Sequence, residues 1–190
     1  MDPDTARTAA LDAAESLFYA RGVQSVGMDE IRSASGIPLK RLYQLFPSKT
    51  DLVEAYLRRR DTSWLLSLSR YADARPDPRG RVLAVFDWLE GWFAEPEFRG
   101  CAFVNAFGEL GASSPGVVEA VADHKAAFHR YLAELARQTT PARADAARAD
   151  RLAAQLALLT EGAITTAAIT GTSEPARQAQ AAARALLSMP

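Results

Sequence analysis

Apolar residues recur with a helical period along nearly the whole chain, and this pattern limits the possible folds more than any other feature. In the first segment, the residues at positions i, i+3, i+4, i+7 and i+8 are apolar: Ala10, Ala13, Ala14, Leu17 and Phe18. Such spacing places them on one face of a helix. No segment combines sustained alternation of apolar and polar residues with the Asn-Gly or Asp-Gly turns of β-hairpins. The sequence therefore predicts an all-α protein.

Glycine, proline and capping residues divide the pattern into separate helices. The first three are predicted at residues 5–21, 28–34 and 38–46. A fourth, longer helix is predicted to begin at a Ser48-to-Asp51 capping box and to join two parts of the molecule. A fifth ends at Glu95-Pro96, and an apolar stretch follows at residues 101–110. Ser114 and Pro115 open the next helix, and the last two are predicted at residues 144–170 and 175–188.

The overall composition is that of an ordinary globular protein and gives no sign of a nucleic-acid partner. Hydrophobic residues make up 48% of the chain, charged residues make up 24%, and the formal net charge is -1. Any basic surface must therefore be local. The single cysteine, Cys101, excludes an intramolecular disulfide and a multi-cysteine zinc site. The two histidines make a histidine-rich metal site equally unexpected.

The N-terminus and the lengths of the apolar runs indicate where in the cell the protein is expected. The first residues are acidic and lead into an amphipathic pattern, unlike the basic start and apolar run of a signal peptide. No stretch of about 18 uncharged apolar residues occurs, which argues against a membrane span. We expect a cytoplasmic protein with no membrane partner and no cofactor.

Residues 28–46 predict two short helices joined by a tight turn at Ser35-Gly36, which is the arrangement of a helix-turn-helix. Two short helices that cross each other need a small apolar cluster beneath them. The residues predicted to form this cluster are Ile31, Ala34, Ile37, Leu42 and Phe46, together with Leu17 and Phe18 of the first helix. An outer face of the second short helix then stays free.

This free face is basic and rich in hydrogen-bonding groups. On a helical wheel centred on position 42, positions 38, 39, 45 and 46 turn inward. The outward set is Lys40, Arg41, Tyr43 and Gln44. No acidic residue lies between positions 37 and 49. Arginine and glutamine can bond base edges, and lysine and tyrosine can hold phosphates. The pattern indicates DNA binding, and the alternative is a plain helical corner.

The same region resembles the N-terminal domain of the TetR family. The matching segments are Gly22-Val23-Gln24-Ser25-Val26-Gly27-Met28-Asp29-Glu30-Ile31, Ser35-Gly36-Ile37-Pro38, Leu42-Tyr43-Gln44-Leu45-Phe46-Pro47-Ser48-Lys49 and Leu52. The resemblance covers residues 1–57. It implies a helix-turn-helix DNA-binding domain at residues 1–49 and a helical effector-binding and dimerisation domain at residues 50–190.

The resemblance also implies which residues contact DNA. Tyr43 and Lys49 would bind backbone phosphates, and residues 38–44 would face the major groove. The full predicted set is Gly27, Met28, Pro38, Leu39, Lys40, Arg41, Tyr43, Gln44 and Lys49. Two positions depart from the family: Gly27 replaces a threonine whose hydroxyl caps the second helix, and Lys40 replaces a common glycine. We expect altered sequence preference rather than lost binding.

Beyond residue 57 the resemblance is weaker, although Arg99-Gly100-Cys101-Ala102-Phe103-Val104-Asn105 looks like a segment of one TetR subgroup. By family analogy, the helices between residues 50 and 140 enclose a cavity for a small, largely apolar effector. The pocket candidates are Trp88, Trp92, Phe103, Asn105, Phe107, Glu109, His124 and Phe128. Each has an alternative role: the aromatic side chains as core, Asn105 as a buried hydrogen-bonding residue, and His124 as a satisfied buried histidine.

The last two predicted helices carry more apolar surface than a chain end needs. In the family, such helices pair with their counterparts as a four-helix dimer interface. The candidates are Leu152, Leu156, Leu159, Ala163, Ala167, Ala179, Ala183 and Leu186, and the alternative is packing within one chain. Dimerisation also suits DNA reading, because two copies of a short helix about 34 Å apart read a palindrome.

These features favour a ligand-responsive transcriptional regulator. We expect a repressor, the commoner behaviour in the family, that binds an inverted-repeat operator in double-stranded DNA as a homodimer and is released by a small-molecule effector. The alternative is a helix-turn-helix DNA-binding protein without an effector. An enzyme is not expected, because no glycine-rich phosphate loop, nucleophile elbow, metal-ligand cluster or carboxylate pair stands out.

Overall fold

The computed structural model describes residues 2–139 and 146–189, and the secondary structure in these ranges is entirely helical, as predicted. The helices are α1 (Pro3–Arg21), α2 (Met28–Ser35), α3 (Leu39–Leu45), α4 (Lys49–Asp73), α5 (Pro78–Phe93), α6 (Ala102–Leu110), α7 (Pro115–Thr139), α8 (Ala146–Thr170) and α9 (Glu174–Ser188). The apolar stretch at residues 101–110, which the sequence analysis left unassigned, forms α6. The predicted start of the penultimate helix at residue 144 lies outside the described residues.

Local capping interactions account for the helix boundaries that the sequence predicted. The Ser48 Oγ accepts the Asp51 backbone N–H at 3.1 Å, and the Asp51 carboxylate accepts the Ser48 N–H at 2.8 Å, which completes the capping box. The Ser114 Oγ accepts the Val117 N–H at 3.2 Å at the start of α7. Gly36 ends α2 with a φ of 70°, a left-handed conformation that favours glycine. These boundaries depend on neighbours in the sequence, so they could be predicted.

Contacts within the chain divide it into two compact units. The first unit comprises residues 1–62 and 102–124, and the second comprises residues 63–101 and 125–190. The first unit therefore includes α6 and the beginning of α7 in addition to the N-terminal helices. The predicted functional division at residue 49 does not coincide with these units and stays a prediction.

In the first unit, the core lies beneath the two short helices α2 and α3. Its apolar centre includes Phe18, Ile31, Ile37, Leu42 and Phe46, each no more than 3% exposed. The Phe18 ring also contacts the Tyr56 ring, with centroids 5.9 Å apart. The cluster predicted beneath the helix-turn-helix is confirmed at these five positions.

Two members of that predicted cluster lie elsewhere. Ala34 is exposed and Leu17 is only half-buried, so the prediction that both belong to the cluster was wrong. The apolar cover on this side comes from Met28, three residues before Ile31, rather than from Ala34 three residues after it. Helical spacing allows either choice. The short length of α2 leaves Ala34 at its exposed end.

In the second unit, α9 packs against α5 and α8. By length and composition alone, α8 is the one helix among the described residues that could cross a membrane. Its residues Leu152, Leu156 and Ile164 are buried inside the unit. A core helix meets the same criteria of length and hydropathy, so this finding carries little weight.

Candidate nucleic-acid interface

The outward face of α3 presents the polar side chains that the helical wheel placed there. Leu42 is completely buried and fixes the inward face of the helix. Lys40, Tyr43 and Gln44 are exposed, and Tyr43 is 44% exposed despite its aromatic ring. An ammonium, a phenol and an amide therefore share one solvent-facing surface, which we call the α3 face.

The residues that flank the α3 face are less free than the sequence suggested. Arg41 is half-buried, and its Nη1 donates to the Gln44 Oε1 at 3.3 Å. Leu39 is also half-buried. Pro38 is exposed, so the prediction from the helical wheel that it turns inward was wrong. The reason is that Pro38 precedes the first helical residue and does not follow the helical period.

Helix α2 precedes α3 in the sequence, and its start contains two further predicted DNA contacts. Gly27 is exposed and serves as the N-cap of α2. Met28 is only 9% exposed, so its side chain belongs to the core, and a side-chain contact with DNA is not supported. Apolar Met28 is thus a structural residue that the family resemblance had placed in the DNA-contact set.

Gly27 has no side chain to accept a backbone N–H of α2, so the bond from its own N–H to Glu30 is the half of the capping box that remains. The Glu30 carboxylate accepts the Gly27 backbone N–H at 3.1 Å and also pairs with Arg21. The Gly27 N–H bond, followed by the Arg21 contacts, holds the pKa of Glu30 below its usual value. The carboxylate at this helix N-terminus is therefore already engaged by protein groups.

Lys49 begins α4 and is half-buried. Burial lowers the pKa of Lys49, whereas the nearby carboxylates of Glu109 and Glu30 act in the opposite direction. The ammonium group thus lies in the field of two acids from other helices. The sequence could not show this, because both acids are distant from Lys49 along the chain.

A further cation near α3 was missed at the sequence level. The Arg7 guanidinium of α1 lies over the Phe46 ring, 4.6 Å from its centroid. Phe46 follows the last residue of α3, so this cation–π contact brings a positive charge to the end of the helix. Only the packing of α1 against the helix-turn-helix reveals it.

The run Arg58-Arg59-Arg60 lies on the α4 part of the first unit and is paired with acids. Arg58 contacts Glu119 and Asp123, each at 3.3 Å. The Arg59 and Arg60 guanidinium groups both bind Glu15 of α1, at 2.7 and 2.8 Å. These arginines therefore hold α4 to α1 and α7.

The predicted pocket residues fall into two sets, one in each compact unit. In the second unit, Trp64 makes edge contacts with Trp88, Trp92 and Phe128, with ring centroids 5.2, 5.8 and 5.2 Å apart. Trp64 was not among the candidates, although it occupies the centre of this aromatic cluster. Its position on the long α4 gave no signal beyond helical spacing.

The other pocket candidates belong to the first unit. The Phe103 ring stacks on the His124 ring with centroids 3.6 Å apart, and the His124 Nδ1 lies 2.8 Å from the Asp61 Oδ1. His124 is 3% exposed, which matches its alternative role as a satisfied buried histidine. Asn105 and Phe107 are exposed, and the void that Asn105 lines together with Glu109 has a volume of only about 10 Å³.

Glu109 has partners that the sequence analysis did not predict. Its carboxylate accepts the backbone N–H groups of Val23 and Gln24 at 3.0 and 2.6 Å. The side chain is therefore engaged by the loop between α1 and α2, and its role in a ligand pocket stays a prediction. A backbone N–H has no sequence signature, so this partner could not be predicted.

The predicted dimer residues are mostly buried within one chain. Six of them are no more than 8% exposed: Leu152, Leu156, Ala163, Ala167, Ala179 and Ala183. Leu159 and Leu186 are half-buried. The alternative of packing within one chain therefore describes these six, because α8 and α9 pack against each other and against α5. Large apolar side chains on the outside of α8 are instead Leu158 and Ile169, which are 74% and 80% exposed.

In the part of the chain that the structure describes, no three histidine, cysteine or acidic side chains are grouped so that they could hold a metal ion.

Known proteins that resemble this chain share both its sequence pattern and its fold. Residues 10–56 match the family described as bacterial regulatory proteins, tetR family, and residues 78–183 match the family described as tetracyclin repressor-like, C-terminal domain. A TetR-family transcriptional regulator from Streptomyces coelicolor has 28% sequence identity and a TM-score of 0.87, with 97% of this chain and 95% of that chain covered. A TetR-type regulator from Streptomyces avermitilis also has 28% identity, with a TM-score of 0.78 and coverage of 97% and 99%.

A curated relative matches a shorter region. The HTH-type transcriptional activator FasR from Mycolicibacterium smegmatis is 39% identical over 92 residues, which cover 46% of this chain and 42% of the relative. The match thus spans less than half of that protein's length. These relatives are transcriptional regulators, and the two family matches together cover the helix-turn-helix and most of the remaining chain. The chain belongs to the TetR family of helix-turn-helix, DNA-binding transcriptional regulators.

Proposed function

We propose that this regulator is a repressor that binds an inverted-repeat operator in double-stranded DNA as a homodimer and is released by a small-molecule effector. The α3 face carries this proposal. Its lysine, tyrosine and glutamine are exposed together on a short helix whose inward face is locked by Leu42. Such a helix can enter the major groove, where glutamine reads base edges and the other two hold phosphates.

The charge around the α3 face supports a DNA partner. Asp51, the acidic residue that follows α3 most closely, is engaged in the Ser48 capping box. Glu30, the acidic residue nearest before α3, is engaged by Gly27 and Arg21. The acids that flank α3 in the sequence thus already have partners, while Lys40 is exposed and the Arg7 guanidinium lies over Phe46. A chain with a net charge of -1 concentrates positive potential where phosphates would lie.

A second copy of the chain is the proposed partner for the outside of α8. Leu158 and Ile169 are exposed there, while the inward side of the same helix is filled by its own chain. Exposed large apolar side chains on a regular helix can become buried in an interface with a second copy. A two-fold dimer would present two copies of α3, as an inverted repeat requires.

Effector release would act through α4. This helix is continuous from Lys49 to Asp73 and contributes residues to both compact units. A ligand that binds more tightly when α4 is shifted would change the separation of the two α3 helices. The affinity for the operator would fall by the same coupling factor.

Fluorescence anisotropy tests the DNA part of the proposal. The purified full chain is titrated against labelled duplexes from its own upstream region and against an unrelated duplex, at two salt concentrations. Tight, salt-dependent binding to a duplex with an inverted repeat, and much weaker binding to the control, supports specific operator binding. Equal weak binding to every duplex tested across the upstream region contradicts it.

Activation is a second candidate. FasR, which is described as a transcriptional activator, is 39% identical to this chain over 92 residues. A reporter gene under the operator distinguishes the two signs of regulation. Deletion of the regulator raises expression if it represses and lowers expression if it activates.

A further inference from the structure

The second unit contains an open groove formed by α4 and α5. Its volume is about 630 Å³, which lies within the range of roughly 300–1,000 Å³ that small-molecule sites occupy. The side chains that give it chemical character are Leu66, Ser67, Arg70, Tyr71, Arg75 and Trp88. Of the predicted pocket residues, only Trp88 lines it.

The charged side chains that line this groove are all positive. Arg70 and Arg75 line it, and none of its lining residues is acidic. Among the described ion pairs, neither guanidinium has a carboxylate partner. Arg58, Arg59 and Arg60, by contrast, are paired with acids. The Arg75 Nη2 donates to the Tyr71 hydroxyl at 3.4 Å, which leaves its charge without a counter-ion among the described residues. Two guanidinium groups without a carboxylate partner beside one groove provide a site for an anion.

Three acids close to the groove in the sequence are not among its lining residues and form hydrogen bonds with other groups. Asp73 accepts a hydrogen bond from the Tyr131 hydroxyl at 3.3 Å, and burial together with this carboxylate raises the pKa of Tyr131. Asp77 caps α5 by accepting the Gly80 N–H at 2.7 Å. Asp87 accepts a hydrogen bond from the Gln180 side chain.

The wall of the groove is apolar and held in place. Leu66 and Tyr71 are 45% and 40% exposed, which is high for side chains of this size. The Trp88 Nε1 donates to the Ser67 Oγ at 3.3 Å, so the indole is fixed with its polar atom satisfied. The Arg75 guanidinium lies over the Tyr71 ring, 5.3 Å from its centroid. The ring supports one cation and exposes apolar surface beside it.

We propose that this groove binds an organic anion with an apolar body, such as an aromatic or aliphatic carboxylate, sulfonate or sulfate. Its anionic group would contact Arg70 and Arg75, and its apolar body would lie on Leu66, Tyr71 and Trp88. The regulatory meaning rests on the proposed function: in a ligand-responsive repressor, this would be the effector's chemical class. The binding site itself does not depend on DNA recognition.

Two fluorescent probes with similar apolar bodies test the site. Anilinonaphthalene sulfonate carries the anionic group, and N-phenylnaphthylamine lacks it. Each probe is titrated into the full chain without DNA. In the double variant Arg70→Gln/Arg75→Gln we expect the Kd for the sulfonate to rise by about tenfold or more, since each exposed contact contributes modestly. The Kd for the uncharged probe should stay within about twofold.

Matched variants separate the charge from the fold. Arg79→Gln removes one exposed cation from α5 outside the groove and should leave both affinities unchanged. Arg70→Lys/Arg75→Lys retains the charge and should largely retain sulfonate binding. Trp88→Leu should weaken both probes, because it removes the shared apolar wall. Circular dichroism verifies that each variant is folded.

An unchanged sulfonate Kd in the glutamine double variant overturns the proposal, and so does an equal loss for both probes. Because these titrations contain no DNA, they can fail while operator binding stands. Conversely, the groove can bind the sulfonate selectively even if the anisotropy titration finds no operator.

Discussion

Gln24 and Glu109 lie 85 residues apart in the chain and are joined by two hydrogen bonds. The Gln24 backbone N–H donates to the Glu109 carboxylate, and the Gln24 side-chain amide donates to the Glu109 carbonyl oxygen, each at 2.6 Å. The same carboxylate also accepts the Val23 N–H. Helix α6 therefore fixes the loop between α1 and α2, and with it the start of the helix that supports α3.

Replacement of Glu109 by alanine should destabilise the protein. Val23 is buried, so its N–H would lose its acceptor without full access to water. We expect the free energy of unfolding to fall by about 1–2 kcal/mol, since the carboxylate is only partly buried. Urea denaturation followed by circular dichroism measures this change. Glu97→Ala, at an exposed position, is the matched control, and an equal effect of the two variants would contradict the assigned role.

The Glu30 cap should make stability depend on pH. The folded pKa of Glu30 lies below its ordinary value of 4.5 because the charged form is bonded to Gly27 and Arg21. The stabilisation is therefore complete above that ordinary value and is lost as the pH falls through the folded pKa. Glu30→Gln should lower the urea midpoint at neutral pH, and its difference from the wild type should shrink in acid. A difference that stays constant with pH would show that the carboxylate charge is irrelevant.

The two kinds of DNA contact should separate in mutants. Lys49→Ala should weaken binding to all duplexes to a similar extent and reduce the slope of log Kd against log salt by about 1, because we propose that Lys49 contacts a backbone phosphate. Gln44→Ala should instead cost about 1–3 kcal/mol at one or two base pairs and relax the preference there. Anisotropy titrations against a panel of single-base operator variants measure both effects. The assignment fails if Lys49→Ala changes base preference or Gln44→Ala changes only the salt slope.

The outside of α8 should control the oligomeric state. Leu158→Glu places a charge on a side chain that is 74% exposed in the single chain, so it should not disturb the core. We expect this variant to sediment as a monomer and to lose tight operator binding. Val104→Glu changes another exposed apolar residue, in the first unit, and serves as the control. A Leu158→Glu chain that still sediments as a dimer would place the interface elsewhere.

Much of the fold and part of the candidate site could be predicted, because their causes are local. Capping residues such as Ser48 and Ser114 bind backbone groups only three residues away. The exposure of Lys40 and Gln44 follows from the helical period once Leu42 is taken as the buried position. Geometry alone was equally compatible with a plain helical corner. The family resemblance then indicated that this surface binds DNA.

The remaining features required tertiary structure. Apolar residues occur on several sides of α8, so helical spacing could not decide that Leu156 would face the chain's own core and Leu158 the solvent. In the same way, Ala34 and Met28 are equally spaced from Ile31, and only packing chose between them. Glu109 was predicted to line a pocket. Nothing in the sequence indicated that backbone N–H groups of the α1–α2 loop are its partners.

The sequence by itself determined the all-helical class, the helix ends that carry capping residues, and the family, since these depend on the order of neighbouring residues. Tertiary structure decided which side chains meet across the chain: the Glu109 bonds to the α1–α2 loop and the pairing of Arg58, Arg59 and Arg60 with acids. It also decided that the two arginines of the α4–α5 groove have no carboxylate partner in the described part of the chain. The physical reason is that such contacts depend on distance in space. The local sequence around a residue does not show which distant residues lie close to it in the fold.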